Sequence, residues 1–220
     1  MISKKCLSKN SMITMKKSMK SFCFILFLIA HFQVFAQKQN TEEINLGKRY
    51  KNNLFTNIDS LIDIPYGEAI NLKGDNEKLL LNLFMPPQVD TVKKRPLVIF
   101  IHGGGFRNNN KSSSISNKLG IRLGKKGFVV ASIDYRLGIA KTNTNKDYHE
   151  AMYRAQQDAR AAVRFFRKNA SKYGIDENQI FLAGSSAGAM TALSVAYMDQ
   201  DEIPSDIDQS KWGNLEGNVG

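Results

Sequence analysis

The amino-acid sequence predicts an α/β domain whose mostly parallel sheet begins with antiparallel strands. Two short apolar stretches flank a Gly-Asp-Asn turn at residues 74–76, and three runs further along the chain are apolar at nearly every position. Segments with helical spacing separate those three runs. Strands buried on both faces have such runs, and strands that alternate with helices favour parallel pairing through crossover connections.

The composition is that of one globular domain, with 42% hydrophobic and 23% charged residues in a chain of 220. The formal net charge is +11, but residues 1–36 alone contain six lysines and no acidic residue. The rest of the chain has 25 Lys and Arg against 20 Asp and Glu, without a cluster. No nucleic-acid partner is therefore expected, because such a partner needs a basic patch.

The N-terminal region has the pattern of a secretory signal peptide over residues 1–36. Lysines precede an apolar run at residues 22–35, which is too short to span a bilayer as a helix and ends in Val34-Phe35-Ala36. We expect cleavage after Ala36, a secreted or periplasmic protein, and no stable membrane span after cleavage. A retained anchor is the alternative, disfavoured by the short run and by His31 within it.

Local sequence patterns predict the following strands and helices, given in chain order. The hairpin is predicted at residues 61–66 and 79–85, and the three buried strands at residues 97–101, 128–133 and 179–183. Helices are predicted at residues 113–126, 152–170 and 187–198. Residues 37–57 are polar and are interpreted as an N-terminal leader, which leaves residues 58–220 for the domain; residues 201–220 look like the start of a long loop.

The turn after the third buried strand carries the pattern Gly184-x-Ser186-x-Gly188 and leads into a predicted helix. In that context the pattern indicates a nucleophile elbow, which exposes Ser186 at a helix N-terminus. An ordinary turn rich in small residues is the alternative, since Gly and Ser are common in turns. A second glycine-rich motif elsewhere in the chain is therefore needed to favour the nucleophile elbow over the ordinary turn.

His102-Gly103-Gly104-Gly105 follows the first buried strand. Its backbone N–H groups could meet at one point, together with the N–H of Ala187, where acyl transfer places negative charge on a carbonyl oxygen. A flexible or anion-binding loop is the alternative. A phosphate loop is disfavoured because no Gly-Lys-Ser/Thr follows.

Together these motifs resemble the carboxylesterase and lipase branch of the α/β-hydrolases over roughly residues 60–200. Asp134-Tyr135-Arg136-Leu137 and the Asp158-Ala-Arg-Ala-Ala-Val-Arg segment of the second predicted helix add to the resemblance. It implies that Ser186 is the catalytic nucleophile and that the oxyanion hole consists of the N–H groups of Gly104, Gly105 and Ala187. The structural residues of the two motifs are then His102, Gly103, Gly184 and Gly188. No metal or organic cofactor is implied.

The same resemblance implies that part of the catalytic site is missing. The family has a triad acid and then a histidine after the serine, whereas His31, His102 and His149 all precede Ser186. None of the acidic residues after Ser186 follows a further strand, so none is assigned. Only about the first five of the family's eight strands are recognisable. We therefore expect a C-terminally truncated fragment that is inactive by itself.

The expected function is that of a secreted serine ester hydrolase that forms a covalent acyl-enzyme. Its substrate would be a small-molecule ester or an ester linked to a polysaccharide. An amidase or peptidase of the same fold is one alternative, and a non-catalytic binding protein is another. The presence of Ser186 and of all the loop glycines argues against the second alternative.

The signal peptide gives the first testable prediction. Mass spectrometry of the protein exported by its native host should find Gln37 as the N-terminal residue, because small residues at Val34 and Ala36 suit the signal peptidase. A mature N-terminus at any other position would contradict the predicted cleavage site.

Overall fold

The structure is a computed structural model that describes residues 47–142, 144–205 and 207. The predicted signal peptide and residues 37–46 of the predicted leader lie outside these residues, so both stay predictions. Among the described residues, no helix combines the length and apolar character needed to cross a membrane.

Five strands of the described part of the chain form one mixed sheet. They are β1 (Asp59–Ile70), β2 (Asn76–Met85), β3 (Arg95–Ile101), β4 (Val129–Ile133) and β5 (Ile175–Gly184). The order across the sheet is β1-β2-β4-β3-β5. β1 pairs antiparallel with β2 and β2 antiparallel with β4, whereas β3 pairs parallel with both β4 and β5. The predicted antiparallel start and the parallel part that follows it are both confirmed.

Among the described residues after β1, four α-helices connect or follow the strands. They are α1 (Ser114–Gly124), α2 (Asn145–Lys168), α3 (Ala170–Tyr173) and α4 (Ala187–Tyr197). α2 begins seven residues before the predicted start at residue 152. Thr144 and Asp147 explain the difference, because each side chain accepts a hydrogen bond from the other's backbone N–H. This capping box starts the helix well before its apolar face begins.

The sheet is covered on both faces. α1 packs on the face that presents Phe84, Val98 and Val130. α2 and α4 cover the opposite face, where alanines of α2 that are at most 1% exposed lie in one cluster with Leu97 and Ile99. Short alanine side chains let the helix approach the sheet closely. Each buried Leu or Ile contributes roughly 1.5–3 kcal/mol to folding.

The prediction that residues 179–183 form a fully buried strand is wrong. β5 is longer than predicted, and its Phe181 side chain is 52% exposed. The reason is that β5 lies at an edge of the described sheet and pairs only with β3. The mostly apolar residues of this strand are therefore not all buried.

A buried ionic cluster ties the start of the described chain to the sheet. The Asp90 carboxylate accepts hydrogen bonds from the Arg49 guanidinium at 2.6 and 3.0 Å and from Arg95 Nε at 2.8 Å. All three side chains are at most 10% exposed. Burial alone would raise the pKa of Asp90, but the two arginines hold that pKa below its ordinary value.

Replacing Asp90 by Ala should lower the free energy of unfolding at pH 7 by about 3–5 kcal/mol, because two buried arginines lose their shared partner. The lowered pKa means that the stabilisation is present above the ordinary aspartate pKa and is lost as the pH falls through the folded-state value. The deficit of D90A should therefore shrink in urea unfolding at about pH 3. D75A, at an exposed turn residue, is the control. An equal deficit at both pH values would contradict the assignment.

Candidate active site

The turn between β5 and α4 has the geometry of the predicted nucleophile elbow. β5 ends at Gly184 and α4 begins at Ala187, so Ser186 stands at the N-cap of the helix. The Ser186 backbone has φ 52° and ψ −117°, a conformation that a residue with a side chain adopts only under strain. The residue is exposed. The turn therefore presents the serine hydroxyl above the end of the strand.

Close backbone packing explains the glycines on either side of the serine. A Cβ atom on Gly184 would lie 2.2 Å from the carbonyl oxygen of Gly188, and one on Gly188 would lie 2.0 Å from the carbonyl oxygen of Ile101. The N–H of Ser185 donates to that same Ile101 oxygen at 3.2 Å. The elbow is thus pressed against the end of β3, and no larger residue fits at either position.

The second glycine run reaches the same place from β3. A Cβ atom on Gly103 would lie 3.3 Å from Ser186 Cβ and 2.8 Å from the carbonyl oxygen of Ser185. Gly104 and Gly105 have φ values of +125° and +59°. Within the described part of the chain, the N–H groups of Gly104, Gly105 and Ala187 donate to no protein acceptor. The structure therefore brings together the two motifs that the sequence singled out.

The segment after β4, residues 134–138, contacts both ends of the glycine loop, residues 102–106. The Tyr135 ring stacks on the His102 imidazole with centroids 4.4 Å apart, and its hydroxyl donates to the His102 carbonyl at 3.0 Å. At the other end, the N–H of Gly138 donates to the Phe106 carbonyl at 2.7 Å. Burial raises the pKa of Tyr135 well above its ordinary value, so the hydroxyl keeps the proton that it donates.

Two arginines connect this segment to α2. Arg136 and Asp158 form an ion pair at 2.8 Å in which both side chains are fully buried, and the Arg136 backbone N–H also donates to the Asp158 carboxylate at 2.8 Å. Arg154 donates to the Gly138 carbonyl. Burial, and then the neighbouring Arg136 charge, lower the pKa of Arg154 to about 10, at which the guanidinium remains charged near neutral pH.

Sequence reasoning missed the role of Arg154. It did not single out Arg154, which is fully buried like the neighbouring Ala151 and Ala155. A signal was available, because Arg154 precedes Asp158 by one helical turn and interrupts the alanine face. A lone arginine on an apolar helix face needs a buried acceptor, which here is a carbonyl of the loop after β4.

The described residues supply no general base to Ser186. No side chain among them hydrogen-bonds to the serine hydroxyl. His102 is buried, whereas His149 lies exposed on α2. The acidic residues that follow α4 are exposed where they are described, namely Asp199, Asp201 and Glu202. Asp206, Asp208 and Glu216 lie outside the described residues.

Comparison with known proteins agrees with this fold. The chain is 30% identical over 141 residues to Carboxylesterase 3B of Mus musculus, covering 63% of this chain and 24% of that protein. It is 33% identical over 139 residues to the probable isoprenylcysteine alpha-carbonyl methylesterase ICME of Oryza sativa subsp. japonica, covering 63% of this chain and 30% of that protein. The chain thus spans less than a third of these relatives.

Among solved structures, Thermogutta terrifontis esterase 2 phosphorylated by paraoxon superposes with a TM-score of 0.51 at 22% identity. The match covers 67% of this chain and 51% of that one, and it supports the fold. Fold, motifs and relatives define an α/β-hydrolase of the carboxylesterase type. Within that class the chain belongs to the BD-FAE family, whose sequence profile matches residues 81–219.

The close packing of the elbow leads to a mutational prediction. Gly188→Ala should lower the free energy of unfolding by about 3 kcal/mol, because its Cβ cannot avoid the Ile101 carbonyl without moving α4. Gly67→Ala is the matched control, since a Cβ there would meet only Leu79 Cδ1 at 3.9 Å. Thermal or urea unfolding measures both. Equal stability of the two variants would show that the elbow is not held against β3.

Proposed function

We propose that this chain carries the nucleophile and the oxyanion hole of a secreted serine ester hydrolase. The observation that carries the proposal is Ser186, which is exposed in a strained conformation at a strand-to-helix turn and lies against the glycine loop. A strained backbone at such a turn indicates function, because folding alone would favour glycine there. The names of the carboxylesterase relatives support the same reaction class.

In the proposed reaction, Ser186 Oγ attacks the ester carbonyl carbon and the carbonyl oxygen becomes negatively charged. The N–H groups of Gly104, Gly105 and Ala187 donate hydrogen bonds to that oxygen. Collapse of the intermediate releases the alcohol and leaves Ser186 acylated, and water then frees the acid. Each such donor typically contributes roughly 10²–10³ in rate, because it is already oriented when the charge develops.

The proposal assigns the general base to a histidine outside these 220 residues. A serine hydroxyl is a weak nucleophile until a base accepts its proton. His31, His102 and His149 all precede Ser186, and the structure places His102 in the interior and His149 on the surface. The triad acid that orients the base would also come from outside.

The proposed substrate is an ester of a small molecule or of a polysaccharide outside the cytoplasm. The signal-peptide pattern supports an exported enzyme, and the names of the relatives are those of a carboxylesterase and a methylesterase. In this proposal, the described residues around Ser186 supply the nucleophile and the oxyanion donors but not the general base.

Substitution of the serine tests the proposal. In a polypeptide of this protein that includes a histidine after Ser186, S186A should lower kcat for p-nitrophenyl acetate by more than about 10³-fold, because the nucleophile is lost. S185A is the matched control, since Ser185 contributes to the turn through its backbone N–H, and it should keep most of the activity. Full activity in S186A would overturn the proposal.

A second measurement tests the assignment of the base. Residues 37–220 alone should hydrolyse the same ester no faster than their S186A variant, because oxyanion donors without a base do not activate the serine. Rapid hydrolysis that depends on Ser186 in this segment would show that the described residues contain a complete site.

A further inference from the structure

The first residue after the glycine loop is an exposed arginine, Arg107. Its backbone N–H donates to the carbonyl oxygen of Gly104 at 3.0 Å, so residues 104–107 form a tight turn. The first and last Cα atoms of such a turn lie within about 7 Å of each other. A Cβ atom on Gly103, directly before this turn, would lie 3.3 Å from Ser186 Cβ. The Arg107 side chain therefore starts close to the proposed nucleophile.

Tyr148 of α2 holds the Arg107 side chain by two contacts. Arg107 Nη1 donates a hydrogen bond to the Tyr148 hydroxyl at 2.7 Å, and the guanidinium carbon lies 5.1 Å from the centroid of the tyrosine ring. The ring face attracts the cation. A side chain that is already oriented loses less conformational entropy when it binds a ligand. Arg107 is therefore preorganised, although it is exposed.

The register of α2 and α4 places Tyr148 near the elbow. The Ser194 hydroxyl contacts Met152 Sδ at 3.6 Å, and Arg160 donates to the Met198 carbonyl at 3.1 Å. Residue numbers rise together along both helices, so the helices run in the same direction. Tyr148 precedes Met152 by one helical turn. It therefore lies beside the N-terminal half of α4, at the end next to the elbow.

The charges around this tyrosine are mostly positive. Residues 139–149 contain Lys141 and Lys146 but one acidic residue, Asp147. Both lysines are exposed. The Asp147 carboxylate accepts three hydrogen bonds from threonines of the turn that caps α2. Excess positive charge at a surface attracts anions before they make contact.

We propose that Arg107 is a specificity-determining residue that binds a carboxylate group carried by the ester substrate. This inference rests on the proposed function of Ser186 and adds to it the chemical class of the substrate. A guanidinium presents its N–H groups in a planar fork that matches a carboxylate. An ester bound at Ser186 brings a carboxylate several bonds from its carbonyl within reach of Arg107. Either the acyl or the alcohol part of an ester can carry this carboxylate, and the test separates the two.

Two matched pairs of esters test the proposal in the polypeptide that includes a histidine after Ser186. The acyl pair is mono-p-nitrophenyl adipate and p-nitrophenyl hexanoate, and the alcohol pair is para-acetoxybenzoate and its methyl ester. In at least one pair, R107Q should lower the ratio of kcat/KM for the anionic ester to that for the neutral ester by about tenfold, because charge-assisted hydrogen bonds are lost. The change should be mainly in KM, because the carboxylate is bound equally in the ground state and the transition state.

The ratio distinguishes recognition of charge from a structural role. A structural role of Arg107 would lower kcat/KM equally for both members of a pair, and unchanged ratios in both pairs would overturn the proposal. R107K keeps the charge without the planar fork and should give an intermediate ratio. R122Q, at an exposed arginine of α1, is the matched control. A decrease in R122Q as large as that in R107Q would overturn the assignment to Arg107.

Binding is measured separately from hydrolysis by ¹⁵N NMR of the arginine side chains in the intact chain. The Arg107 Nε–H resonance is identified by its absence from R107Q. At millimolar concentration, monomethyl adipate or para-acetoxybenzoate should shift this resonance, and the neutral methyl esters of both probes should not. No shift with either anion at tens of millimolar would overturn the proposal. Inactivity of the unsubstituted polypeptide towards all four esters would instead overturn the proposed function of Ser186.

Discussion

The candidate site depends on the contact between two backbone turns at the ends of neighbouring parallel strands. Ile101 of β3 pairs with Gly184 of β5, so both turns leave the sheet at the same level. Their separation is set by the Ile101 carbonyl, which accepts from Ser185 N–H and leaves no space for a Cβ on Gly188. Every other feature of the site, including the position of the serine relative to the glycine loop, follows from this contact.

Support for that contact comes from buried polar groups rather than from the two turns themselves. Asp158 on α2 holds Arg136, and the neighbouring Tyr135 holds His102. Isolated buried charges are costly, but these are paired and hydrogen-bonded. The helix therefore fixes the loop through the segment after β4. The Asp134-Tyr135-Arg136 sequence thus contributes to the site by fixing the glycine loop, although none of its side chains is a reacting group in the proposed mechanism.

The sequence predicted those parts of the fold in which local pattern and tertiary environment agree. β3 and β4 are buried at every position and apolar at most positions, and the glycines around Ser186 match the turn that they form. The start of α2 was missed because it depends on the Thr144 cap and not on apolar spacing. β5 extends back to Ile175 through polar residues that pattern alone assigns to a loop. Ile203 was missed for a related reason, because it packs on the distant Tyr153.

The strained serine has a consequence for how such a protein could change over time. At φ 52° a serine costs the folded state on the order of 1–3 kcal/mol that glycine would not. Loss of the hydroxyl by drift to glycine would therefore make the domain more stable while removing its chemistry. A protein with the proposed function stands one substitution away from a more stable scaffold without a nucleophile, so the strain at Ser186 is a cost in stability that the proposed chemistry requires.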